Sequence, residues 1–160
     1  MSVTRLNHAV LYVRSAERAA QFYKDVFEME TVAQMPGAVF LKAKNSNNDH
    51  DLGLFSLGDN ATILPRGSAV GLYHLAWQVE TLSDLVDFEK KLREFDAFVG
   101  ATDHGATKSV YGQDIDNNDF ELMWVVPEDL IEPGDEMKTH RLDLDKEISR
   151  FGLDLPSRKL

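Results

Sequence analysis

Laying the sequence over itself with a displacement of 66 residues places Leu6 on Leu72, His8 on His74, Val13 on Val79, Ala16 on Leu82, Phe22 on Phe88 and Val26 on Leu92. A chain that repeats at this length builds the same supersecondary unit twice, so few folds remain open to it. In the first copy, Leu6 to Val13 (LNHAVLYV) is mostly apolar, the pattern of a strand covered on both faces. Ser15 can cap a segment to Phe27 in which Ala16, Ala19, Ala20, Tyr23, Val26 and Phe27 recur at helical spacing. Pro36 and Gly37 mark a turn, and strands are expected at Thr31 to Met35, Ala38 to Lys44 and Asp51 to Leu57. The second copy carries its own helical stripe in Leu82, Leu85, Val86, Leu92 and Phe95. Strands follow near Ala97 to Ala101, Lys108 to Asp114 and Phe120 to Val126, with Asp116-Asn117-Asn118-Asp119 as the turn between the last two.

The expectation is an α+β fold of two βαβββ modules, about residues 5–58 and 70–126, paired about a pseudo-two-fold axis into an open, cupped mixed sheet. At 160 residues the chain suits one compact domain, taken as 1–126. Gly58 to Gly71, with Asn60, Pro65 and Gly67, reads as a loop long enough to be a lid or binding segment. After Pro127 the periodicity weakens, and 127–160 reads as an acidic tail with a short helix around Leu144 to Phe151. The net charge of -10 argues against a nucleic-acid partner, which needs a basic face to displace counterions. No apolar run reaches membrane-spanning length and no basic-then-apolar leader opens the chain, so a cytoplasmic address and no membrane partner are expected. With no cysteine, thiolate sites and a cysteine nucleophile are excluded, and any metal must be held by nitrogen and oxygen.

A single histidine in an apolar strand is ordinarily a satisfied core residue. Two at equivalent places in a repeat face each other if the copies pack about a pseudo-two-fold axis, which makes His8 and His74 candidate metal ligands. Glu121 supplies a carboxylate from DFELMWVV, where burial without a partner would cost several kcal/mol; exposure on an edge strand or pairing with a cation is the other reading. Two imidazoles and one carboxylate match the facial set that holds Fe(II) in non-haem oxygenases, and Mn(II) accepts the same set. Subtracting 66 from 121 puts the partner of Glu121 near Phe55, and no carboxylate occurs from Leu52 to Leu57. A site built this way is open on that side. Trp77 and Trp124 alternate away from the neighbouring ligands and read as packing residues.

The strand LNHAVLYV with its FYKDVF helix, the strand GLYHLAWQV, and the ending YGQDIDNNDFELMW resemble the vicinal oxygen chelate superfamily over roughly residues 5 to 126. DHDLGLF at 49–55, DHGATKSVYGQDID at 103–116 and the glutamate strand resemble, more narrowly, type I extradiol ring-cleaving dioxygenases of the catechol 2,3-dioxygenase kind. That resemblance implies that His8, His74 and Glu121 bind iron, that His50 sits near oxygen and the substrate hydroxyl as acid or base, and that His104 and Tyr111 line a catechol pocket. It implies an aromatic diol and O2 as small-molecule partners, and a homo-oligomer. The residues alone leave His50 open as a loop histidine and His104 as a turn residue. A lyase or thiol transferase of the same fold, or a metal-free binding protein, is the alternative function. The resembled turn reads Asp-Pro-Asp-Gly-Asn, whereas Asp114-Ile115-Asp116-Asn117-Asn118 stands here; asparagine tolerates the left-handed conformation that glycine supplies.

Overall fold

The computed structural model describes residues 2–135 and 139–159, leaving 136–138 and 160 of the expected tail outside the described residues. The chain forms two βαβββ modules with mixed, open sheets. They fall in two compact units, the first running to Ala69 together with Asp114–Asn117, the second comprising Val70–Gln113 and Asn118 onward.

In the first unit, β1 (Ala9–Val13), α1 (Ala16–Phe27), β2 (Glu30–Met35), β3 (Ala38–Lys42) and β4 (Leu52–Ser56) build a four-stranded sheet in the order β1-β4-β3-β2. Only the β1–β4 pair is parallel. The helix begins where Ser15 takes extended backbone and its hydroxyl accepts the Arg18 N–H, and it stops at Glu28, whose φ of 56° is left-handed. Three alanines in its buried stripe, Ala16, Ala19 and Ala20, keep the helix close to the sheet, where it packs on β3 and β4. Pro36 and Gly37 (φ 75°) join β2 to β3. The strand expected over Leu6 to Val13 is shorter and covered on one face only. Leu11 and Val13 are buried, while Val10 and Tyr12 are 51% and 72% exposed. Alternation, not a double-sided cover, governs β1.

The second unit orders its strands β5-β8-β7-β6-β9, from β5 (Leu75–Gln78), β6 (Phe98–Asp103), β7 (Thr107–Gln113), β8 (Asp119–Val125) and the short β9 (His140–Arg141). Its first helix, α2 (Leu82–Glu94), opens on a reciprocal cap, with Thr81 Oγ1 accepting the Asp84 N–H and Asp84 accepting the Thr81 N–H. The helix packs against β6, β7 and β8, whose rear face is formed by Val110, Phe120, Leu122 and Trp124. Gly112 is required there: a Cβ on it would lie 2.5 Å from Phe120 Cζ and 3.0 Å from the Ala97 carbonyl. Beyond β8 the chain forms a 3-10 turn at Glu128–Leu130, adds β9 to the edge of β6, and enters α3 (Leu144–Phe151). Trp124 packs against Phe151 and donates its indole N–H to the Leu155 carbonyl at 3.1 Å. Ser157 receives the Val125 N–H at 2.9 Å. No helix among the described residues is long and apolar enough to cross a membrane.

Pairing registers correct the expected counterpart of Glu121. In the second unit Ala76 lies opposite Glu121, and Tyr111 lies opposite it on the other side. In the first unit Val10, the equivalent of Ala76, and Phe40 flank Gly53 in the same way. The counterpart is therefore Gly53, two residues before Phe55, because the connections preceding the last strands differ in length between the copies. The turn that departs from the resembled pattern does place Asn117 at φ 62°, where glycine would stand. It is held by the Arg14 N–H on Asp116 (2.8 Å) and the Tyr23 hydroxyl on Asp114 (3.1 Å).

Candidate active site

Successive residues of a strand point to opposite faces, so the face of the second sheet turned away from α2 collects Glu121 on β8 and Tyr111 on β7 as direct neighbours. His74 lies two residues before Ala76, which is itself opposite Glu121, and so reaches the same face. His104, in the turn after β6, completes the row. The four side chains form one continuous polar line. His74 Nε2 lies 3.0 Å from Glu121 Oε2, the Tyr111 hydroxyl donates to Glu121 Oε1 at 3.0 Å, and His104 Nε2 is 2.9 Å from the Tyr111 oxygen.

Proton bookkeeping follows from the partners. A phenol has one proton, and Tyr111 gives it to Glu121, so its oxygen accepts from His104 and the His104 proton sits on Nε2. Burial, reinforced by the negative charge of Glu121, pushes the Tyr111 phenol up to about 12. Tyr111 is thus a donor throughout the physiological range. Glu121, sequestered among apolar strand residues and 7% exposed, has both oxygens engaged.

In the first unit His8 and His50 stand together. Their ring centroids are 4.4 Å apart, and the edge of Phe40 meets His50 at 5.2 Å. His8 Nδ1 lies 2.9 Å from Asn7 Oδ1, an acceptor, so Nδ1 carries the proton and Nε2 keeps its lone pair. The loop bearing His50 is ordered by Asp51, which accepts from the Ala43 N–H, the Ser46 hydroxyl and the Asn48 amide at 2.7 to 2.8 Å.

The six residues expected from the sequence therefore gather as a row of four, His74, Glu121, Tyr111 and His104, and a pair, His8 and His50. Their suitability for a metal can be tested on the donor atoms themselves. Ligands about 2.1 Å from an octahedral ion stand about 3.0 Å apart at adjacent corners, which is the separation of His74 Nε2 and Glu121 Oε2. His74 Nδ1 is buried without a hydrogen-bond partner, so this ring's directional contact is at Nε2. These two donors fit adjacent positions of a divalent ion, and His8 presents a free lone pair. Among the described residues no three of His, Asp and Glu are gathered into a metal-holding cluster.

Sequence reasoning missed Lys108. It is fully buried on the rear face of the second sheet, 2.6 Å from Asp103 and 3.1 Å from Glu147 of α3. The signal was present: Lys108 shares the parity of Val110 in β7, which places it in the core and demands a counter-charge.

The profile of the Glyoxalase/Bleomycin resistance protein/Dioxygenase superfamily matches residues 5–122. The chain is 29% identical over 119 residues to a catechol-2,3-dioxygenase of Bacillus subtilis (strain 168), covering 74% of this chain and 41% of that protein. It is 33% identical over 124 residues to biphenyl-2,3-diol 1,2-dioxygenase 3 of Rhodococcus globerulus, covering 76% of this chain and 64% of the other. The chain thus spans less than two-thirds of the length of either curated relative. Among solved structures, its fold is similar to a lactoylglutathione lyase from Agrobacterium tumefaciens, with a TM-score of 0.58 at 24% identity over 77% of this chain and 95% of that one. Two βαβββ modules and a profile match over most of the length lead to one conclusion: the chain belongs to the Glyoxalase/Bleomycin resistance protein/Dioxygenase superfamily.

Proposed function

We propose that the polar row of the second unit serves a metal-dependent enzyme acting on a small molecule with two adjacent oxygens, and that the reaction is extradiol cleavage of a catechol-type ring by O2. The observation that carries this reading is the continuous hydrogen-bonded line His74–Glu121–Tyr111–His104. His8, His74 and Glu121 would hold the metal, Fe(II) by preference or Mn(II). When bound, such an ion supplies Lewis-acid and redox chemistry linking the diol to dioxygen.

The protein's own groups divide the remaining work. Tyr111, protonated up to about pH 12, can turn its hydrogen from Glu121 to a substrate oxygen while His104 continues to hold the phenol oxygen in place. His104 lines the catechol pocket through Tyr111, whose oxygen its Nε2–H holds toward the substrate. His50, beside Phe40 and His8, would act as acid or base, since imidazole exchanges protons near neutral pH. The product is a ring-opened semialdehyde containing both oxygen atoms.

A second reading keeps fold and site but assigns lyase or thiol-transferase chemistry, or metal-free binding. One finding weighs toward its metal-free version: no three-residue ligand cluster occurs among the described residues. One experiment separates the readings. Protein loaded anaerobically with Fe(II), mixed with catechol or 2,3-dihydroxybiphenyl and exposed to air, should consume O2 and turn yellow. Turnover of glutathione adducts without O2 uptake from any catechol would establish the second reading, and absence of metal from unchelated protein would favour the binding version.

A further inference from the structure

The row of four ends at His104, and what holds His104 lies on the other side of the sheet. Asp103 and Lys108 are paired residues on either side of the β6–β7 turn, and both side chains are buried on the rear face. Asp103 Oδ1 accepts the Lys108 ammonium at 2.6 Å and the Gly105 N–H at 2.8 Å, drawing the turn onto the core. The His104 N–H meets the Thr107 carbonyl at 2.9 Å and closes it. His104 is the residue between Asp103 and Gly105, and its ring passes to the front face to reach Tyr111.

Lys108 faces a second carboxylate besides Asp103. The ammonium is fully excluded from solvent, and the second negative charge comes from Glu147, 2% exposed on α3, whose Oε2 stands 3.1 Å away as an ion pair without the alignment of a hydrogen bond. Both ends of that tail segment are fixed to the sheet, by the pairing of His140 with Asp103 and by the packing of Phe151 on Trp124. Glu147 lies beyond the segment that matches the superfamily profile, which ends at residue 122.

We infer that Glu147 and Lys108 are positioning residues: a carboxylate from the C-terminal helix, acting through a buried ammonium and Asp103, fixes the turn that presents His104 to Tyr111. Glu147 acts on the ammonium by charge, since at 3.1 Å in a site closed to solvent its attraction is screened little, and it draws Lys108 partly away from Asp103. Without Glu147, Lys108 competes for Asp103, the Gly105 contact loosens, and the imidazole loses its fixed approach to the phenol. The inference deepens the functional reading of the same site and rests on it for its catalytic consequence, but not for its structural one.

The test reads the ring directly. In histidine-labelled protein, the nitrogen shifts of His104, assigned by their loss in His104→Gln, should show a single Nε2–H tautomer in the unaltered chain. Glu147→Gln keeps the side-chain shape and removes the charge; Glu147→Leu replaces the carboxylate by an apolar group of similar size, leaves the Lys108–Asp103 pair in place, and gives a second variant should the first fail to fold. In either variant that retains its circular dichroism, the His104 nitrogens should move toward the average of two tautomers, while the signals of His8 and His50 stay put. Where turnover is measurable, kcat should fall about tenfold or more with little change in KM. Folded variants with an unaltered His104 spectrum would overturn the positioning role. A wild-type chain that turns over no catechol would instead count against the functional reading, with the ring spectrum still deciding the role of Glu147.

Discussion

The two sheets present the same three register positions with opposite chemistry. Around the central strand of the second unit stand His74, Tyr111 and Glu121; in the first, His8, Phe40 and Gly53 occupy the equivalent places. Each module keeps its histidine. The second surrounds it with a donor and a carboxylate, whereas the first replaces the donor by its hydroxyl-free counterpart and the carboxylate by no side chain at all. A Cβ at Gly53 would come within 3.3 Å of Val10 and 3.5 Å of Phe40, so these apolar groups close over the space a larger residue would need. Duplication thus supplied the frame twice, and side-chain chemistry made one copy a polar wall and the other an apolar one.

That contrast can be broken most severely at Glu121. Glu121→Ala removes the acceptor shared by His74 and Tyr111, and metal retention and turnover should each fall by more than about a hundredfold, read by elemental analysis and O2 uptake. Metal held at the wild-type level would show that the polar wall is not a ligand set. Tyr111→Phe converts the second unit to the pattern of the first. We expect about a tenfold to hundredfold loss of kcat with metal retained, as for removal of one oriented donor, whereas Phe40→Tyr should leave the rate within about twofold.

The glycines sharpen the comparison in stability. Gly112→Ala drives a methyl into the Phe120 ring and should cost about 2–3 kcal/mol in urea unfolding, with partial recovery in Gly112→Ala/Phe120→Leu. A methyl at Gly53 stands 3.3 Å from Val10 and 3.5 Å from Phe40, a smaller intrusion than at Gly112, and Gly53→Ala should cost about 1 kcal/mol or less. Equal costs would mean that the two sheets are packed alike. The smallest effect concerns acid stability of the second unit. The Arg150 guanidinium, hydrogen-bonded to Asp135 at 2.7 and 3.0 Å, holds that carboxyl far below its usual range. A depressed folded-state pKa stabilises above the unfolded value, near 4, and the contribution fades as pH falls below it. Asp135→Asn should therefore lower the melting temperature at pH 6 and flatten its decline between about pH 4 and pH 2.

Much of this was legible because the repeat carries its own internal check. Displacement by 66 residues aligns Ala9 with Leu75 and Ala16 with Leu82, the first residues of equivalent strands and helices. It fails after the first helices, where 98 − 30 already gives 68, since α1 and its connection to β2 are each one residue shorter than α2 and its connection to β6, and 121 − 53 gives 68 again at the last strands. A fixed displacement cannot follow insertions, which is why Phe55 was expected where Gly53 stands. The proximity of Tyr111 to Glu121 follows from hairpin pairing, and the short turn makes such pairing readable. Glu147 was illegible for the opposite reason: a helix from a weakly patterned tail meets Lys108 across 39 positions of sequence (147 − 108), and no local period encodes that meeting.

The two-residue strand β9 has a consequence outside chemistry. An unpaired outer strand is a template on which further chains can add. In the second unit β9 occupies that place beside β6, and at two residues it is too short to recruit another strand in turn. The outer strand β2 has six exposed residues and relies on the irregularity between Thr31 and Ala33 to spoil its register. A chain shortened before His140 would uncover the six-residue β6 as a growth edge, and its first symptom would be fibrous aggregation during expression.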